Sequence, residues 1–130
     1  MEQNNNSNKN TTKGSDRPSF VERHQRTQWD INTKDFKFIS LKDLVAECPD
    51  RNNRFNLKGV YINTKGNFGA HPVFIIDGYL VDMPKHLLEQ TKEMLNDGMD
   101  IDDIKDGNVF FTVIEYEKNN NKYNSIRWVY

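Results

Sequence analysis

From residue 55 onward the chain alternates apolar and polar residues in short runs, and one proline-opened helical stretch interrupts the alternation. Residues 55–63 (FNLKGVYIN), 72–77 (PVFIID) and 79–83 (YLVDM) read as three strands, the last two joined at Asp77-Gly78, a two-residue hairpin signal. Pro84 takes the first helical position, where its missing N–H costs nothing. Residues 84–97 (PKHLLEQTKEMLND) then set Leu87, Leu88, Thr91, Met94 and Leu95 on one face. Asn96-Asp97-Gly98 closes this helix, and Met99, Ile101 and Ile104 are expected in a short turn that covers the core. Asp106-Gly107 turns into a fourth strand at 108–117 (NVFFTVIEYE). A polar linker at 118–122 (KNNNK) leads to a fifth at 123–130 (YNSIRWVY).

Three strands, a helix and two more strands, with Gly59 marking a bulge or sharp coil in the first, is the element order of an OB barrel. An SH3-like barrel would lack the helix, and a split βαβ fold would need a second crossover helix. The expected fold is mainly β with one or two helices: a five-stranded OB-like barrel (β-β-β-α-β-β) over residues 35–130. Upstream, residues 35–40 alternate like a short strand. Ser40 with Asp43 three positions on is an N-cap signature for a short helix whose Leu41, Leu44 and Val45 share a face, ended by Cys48-Pro49-Asp50.

Residues 1–19 are polar and Asn-rich, with almost nothing to bury, and are expected to be disordered. Residues 20–34 place Phe20, Val21, Trp29 and Ile31 among Arg23, His24, Arg26 and Lys34. Residues 1–34 thus read as a disordered or docking arm, with Phe20, Arg23, Arg26 and Trp29 as candidate contacts to a neighbouring subunit. Trp29 and Ile31 can equally pack over one end of the domain itself.

The net charge of −1 does not announce a nucleic-acid or membrane binder. The charge is uneven, however: residues 82–106 hold eight acidic residues against three lysines, so −5 there leaves +4 elsewhere. One cysteine, Cys48, excludes an internal disulfide and reads as a packing residue, which suits a cytoplasmic, reducing compartment. No apolar run is long enough for a bilayer, and the N-terminus has no apolar signal core. His24, His71 and His86 are scattered, and the aspartates at 100–106 lack the glycine and terminal glutamate of a calcium loop. No enzyme constellation, metal site or cofactor is expected.

What remains is aromatic and basic residues on strands. Single-stranded nucleic acid offers stackable bases and a charged backbone, so a face that binds it interleaves aromatics with lysine and arginine. The candidates are Lys58, Tyr61, Lys65 and Phe68 from the first strand and its loop. To these the last two strands add Tyr116, Lys118, Tyr123 and Arg127. Period-two alternation sends Ile126 and Trp128 inward and Tyr123 and Arg127 outward.

From residue 38 to 130 the chain resembles the small OB-fold single-stranded DNA-binding proteins carried by phages and conjugative plasmids of Gram-positive bacteria. The residues that carry the resemblance are ISLKDL (39–44), KGVYINTK (58–65), PVF (72–74), Gly78-Tyr79, PKHL (84–87), Gly107 and SIRWV (125–129). The resemblance implies binding of single-stranded DNA with little sequence preference, assembly of copies along the strand, and a role in plasmid or phage DNA processing. It carries over Lys58, Tyr61, Lys65 and Phe68 as binding residues. The sequence does not separate DNA from RNA. Housekeeping single-strand binders end in an acidic tail, whereas this chain ends within its last strand, so joining of subunits is expected from the N-terminal arm. The competing expectation is a protein-interaction or inhibitor module that binds no nucleic acid, motivated by the acidic stretch at 82–106.

Overall fold

A computed structural model describes residues 20, 24, 28–65 and 69–130. The elements are β1 (Lys37–Ser40), α1 (Leu41–Glu47), β2 (Phe55–Asn56), β3 (Gly59–Asn63), β4 (His71–Ile76), β5 (Tyr79–Asp82), α2 (Leu88–Leu95), α3 (Gly98–Lys105), β6 (Phe110–Lys118) and β7 (Asn121–Val129). Short 3-10 turns at Pro49–Arg51 and Lys85–Leu87 precede β2 and α2.

The chain is mainly β, in two sheets of order β1-β5-β4-β3 and β2-β6-β7. Residues 55–63 belong to both. Phe55 and Asn56 pair with β6, whereas Gly59–Asn63 pairs antiparallel with β4. At the changeover, Leu57 N–H donates to Val109 O at 2.9 Å and Lys58 N–H to Ile75 O at 2.7 Å, so no backbone donor is lost where the strand bends. The core lies between the sheets. Phe55, Phe74 and Phe111 are almost wholly buried, the Phe111 ring centroid lying 5.5 Å from that of Phe55 and 5.7 Å from that of Phe74, and Trp128 stacks on Phe74 at 6.0 Å. Each such side chain contributes roughly 1.5–3 kcal/mol by leaving water.

Gly59 owes its identity to a neighbour. A Cβ there would sit 2.6 Å from Cγ of Trp29, whose indole lies flat against the strand and whose Nε1–H donates to Val60 O at 2.7 Å. Trp29 is 5% exposed. The expectation that it anchors a neighbouring subunit is therefore corrected: the ring is part of this chain's own core, and the domain begins no later than Gln28. Of the other arm candidates, Phe20 is exposed, and Arg23 and Arg26 lie outside the described residues.

The strands do not close into a single barrel. Closure would need hydrogen bonds between the outer edges of the two sheets, but β1 pairs in parallel with the outer edge of β5, and among the described residues β7 pairs with β6 alone. Helix α1 packs against both β5 and β7 across the gap. Ser40 caps α1 by accepting from Asp43 N–H, and Leu41, Leu44 and Cys48 are buried, while Val45 faces solvent.

Among the described residues from Lys37 on, three α-helices stand where one or two were expected. Pro84 opens a 3-10 turn, and α2 runs only to Leu95. Asp97 then starts α3 by accepting from the N–H groups of Met99 and Asp100, an N-cap that the Asp-Gly pair hides in sequence. Within this unit Leu87 and Ile104 are buried and Met99 is exposed rather than covering the core. Thr91 is fully buried, and its Oγ1–H donates to Leu87 O at 2.9 Å, which satisfies the hydroxyl inside the helix. The expected linker at 118–122 is a two-residue turn: Asn119 and Asn120 take φ of 55° and 67°, the left-handed region asparagine tolerates, and β6 and β7 continue to either side.

Candidate nucleic-acid interface

The β6–β7 hairpin sorts its side chains by face. Register pairs Phe110 with Val129, Thr112 with Arg127, Ile114 with Ser125, Tyr116 with Tyr123 and Lys118 with Asn121 on one side. The other side carries Phe111, Val113, Glu115 and Glu117 opposite Trp128, Ile126, Asn124 and Lys122. Phe111, Val113, Ile126 and Trp128 join the core, so the first set faces away from it. That outer face holds two cations and an aromatic pair, and no carboxylate. Both glutamates of the hairpin lie on the opposite face.

Tyr116 and Tyr123 stack at 5.5 Å between centroids and an interplanar angle of 27°, and remain 38% and 42% exposed. Buried tyrosines contribute apolar area to a core; these two stack on one another and stay partly exposed. Further along the hairpin Arg54 crosses the face. Its guanidinium lies 3.8 Å from the Phe110 ring centroid and donates from Nε and Nη2 to Tyr130 O. Asn53 pins the edge of β6, with its side-chain amide donating to Val113 O at 3.0 Å and accepting from Val113 N–H at 2.8 Å.

Beside the tyrosines runs an open groove of about 320 Å³, walled by Lys42 of α1, Asp82 and Pro84, His86, Lys122 and Asn124. His86 Nε2 lies 2.9 Å from Ser125 Oγ, and its ring stands edge-on to Tyr116 at 6.3 Å. Asp82, the one carboxylate in the groove wall, is engaged with His71 Nδ1 at 2.5 Å. The groove thus joins two lysines and a histidine to the stacked rings. No group of three or more metal-ligating side chains occurs among the described residues.

Of the sequence candidates, Tyr116, Lys118, Tyr123 and Arg127 come together here. Lys58 does not: it is exposed in a separate recess with Trp29, Ile31 and Lys105. Lys65 is exposed past the end of β3, its N–H bonded to Asn63 Oδ1 at 2.9 Å. Phe68 lies outside the described residues. Tyr61 is a correction. It is 3% exposed, on a strand whose residues 59–61 are all buried, and a base has no ring face to reach. Sequence reasoning passed over Lys42, Arg54 and His86. A residue on a helix, a turn or a loop carries no period-two signature that would assign it to a distant strand face.

Among the described residues, no helix is long and apolar enough to cross a membrane. Compared with protein-family models, curated proteins and solved structures, the chain matches none.

Proposed function

We propose that this chain binds single-stranded nucleic acid, DNA in the first instance, on the outer face of the β6–β7 hairpin and in the adjoining groove. The observation that carries the reading is the exposed Tyr116–Tyr123 stack on a hairpin face that holds Lys118 and Arg127 and no carboxylate. Bases stack on the ring faces whatever their identity, and the cations follow the phosphates, so binding has little sequence preference. The strip from the Thr112–Arg127 pair to the Lys118–Asn121 pair is roughly 20 Å long at the usual rise per residue, room for a short run of nucleotides. The frame supports the reading as well. One strand shared by two sheets and a helical unit between the third and fourth main strands resembles the plan of an OB domain, although the two sheets stay open at β1 and α1.

The test is fluorescence anisotropy of a labelled single strand of about 30–60 nucleotides, with a duplex control, at low and physiological salt. Binding that prefers the single strand, weakens with salt, and drops when Tyr116 and Tyr123 are both changed to alanine is the expected result. Equal affinity for the duplex, or an unchanged affinity in the double variant, removes the hairpin from the reading. No binding at low salt ends it, and the search turns to a protein partner.

A further inference from the structure

A second recess of about 310 Å³ opens on a different part of the molecule, between α2, α3 and the start of β6. Its floor is apolar, formed by Met94, Ile104, Val109 and Trp128, and its rim is acidic, with Glu93, Asp100 and Asp103. The carboxyl of Asp100 is held above the usual range, first by burial and then by the charges of Asp97 and Asp103. Carboxylates so crowded favour a cation that comes with something apolar to fill the floor.

The chain itself holds a segment of that chemistry. Residues 17–27 (RPSFVERHQRT) contain three arginines against one glutamate, around Phe20 and Val21. Phe20 is 66% exposed, with its ring against His24 at 4.2 Å and no place in the core. The segment leads into Gln28 and Trp29, which line a recess sharing Ile104 with the acidic one. The arm is thus tethered close to the acidic recess, yet its phenylalanine is not inserted there.

We propose that the acidic recess receives the Phe20 segment of a second copy of this chain, with Phe20 on the apolar floor and arginines on the acidic rim. The contact joins two different surfaces, arm to recess, so each copy that docks its arm still offers its own recess. Such a heterologous contact does not close on itself and builds open rows. Rows of this kind would set hairpin faces in succession along one strand, but the contact forms without nucleic acid and stands or falls separately from the binding reading.

Sedimentation velocity of the full chain, without nucleic acid and at low salt, over a wide concentration range, tests it. The expected result is an average mass that climbs above the 15.3 kDa monomer as concentration rises. Phe20→Asp, or Asp100→Lys with Asp103→Lys, should weaken that association by at least about tenfold, from the loss of one buried aromatic or its rim charges. Arg23→Glu with Arg26→Glu should weaken it as well, and combining it with the lysine pair should restore association. Phe20 and Asp103 are exposed and Asp100 lies at the rim, and folding of every variant is checked by an unchanged far-UV spectrum. A Phe20→Cys, Gln90→Cys chain under mild oxidation should give disulfide-linked multimers. A monomer at every concentration, association indifferent to both sets of substitutions, or cysteine pairs that link only within one chain would each overturn the proposal. None of these results alters the anisotropy outcome, so the two readings fail separately.

Discussion

Strand β4 is mostly apolar and pairs on both edges, whereas β7 alternates polar and apolar residues and pairs with β6; five of the six residues of β4 are buried and none of the nine of β7 is. In β4 both faces are covered, and Val73, Phe74, Ile75 and Ile76 hold the sheets together. In β7 one face reaches the core only through Ile126 and Trp128, while the other shows Tyr123 and Arg127 to solvent. The contrast separates side chains that maintain the fold from side chains that the fold displays. An aromatic pair that stacks in the open contributes little to stability, and its location calls for another use.

The contrast can be broken most forcefully in the covered sheet. Phe74→Ala should cost about 3–5 kcal/mol in urea unfolding, since it opens a cavity against Phe111 and Trp128. A loss under about 1 kcal/mol would mean that β4 is not the structural centre. Next comes Gly59→Ala, expected to cost about 1–3 kcal/mol because the added carbon must displace the Trp29 ring and its bond to Val60 O. Tryptophan emission and the urea midpoint should shift together.

The exposed region should respond the other way round. Tyr116→Ala with Tyr123→Ala should lower stability by no more than about 1 kcal/mol, the usual worth of a cross-strand aromatic pair. The same variant should lose roughly tenfold to a hundredfold in affinity for single strands if the rings stack bases. A large stability loss would place these tyrosines with β4 rather than opposite to it.

The smallest effect concerns Lys37, on β1. Its amino group is held above the ordinary lysine value by a hydrogen bond to Glu47 and by that residue's charge. A raised folded value means that this pair's contribution is fully present below the unfolded lysine value, near about 10.4, and fades as pH rises through the folded one. Urea midpoints of wild type and Lys37→Met should therefore differ slightly at neutral pH and converge under strongly alkaline conditions.

Much of the frame was legible in sequence because it rests on local signals. Asp77-Gly78 fixes the β4–β5 turn, Ser40 caps α1, and the alternation in residues 110–129 assigns the hairpin faces, Trp128 included. What escaped depends on contacts distant in sequence. Trp29 docks on Gly59 thirty positions on, which turns the glycine from a bulge signal into a seat for an indole, and Tyr61 on the same strand is buried too. The parallel pairing of β1 with β5 has no local mark at all, so an open two-sheet frame looked like a closed barrel. The site was half legible: alternation found Tyr116, Tyr123 and Arg127, whereas Arg54, His86 and Lys42 reach the same region only through the fold.

That parallel pairing also bears on how the chain comes off the ribosome. Lys37 aligns with Tyr79, Ile39 with Val81, and so on along β1, always 42 positions apart. At roughly 5–20 residues per second, the partner strand emerges some seconds after β1 does. For that interval Ile39 lacks the strand that pairs with β1, and its apolar side chain can attract other nascent chains.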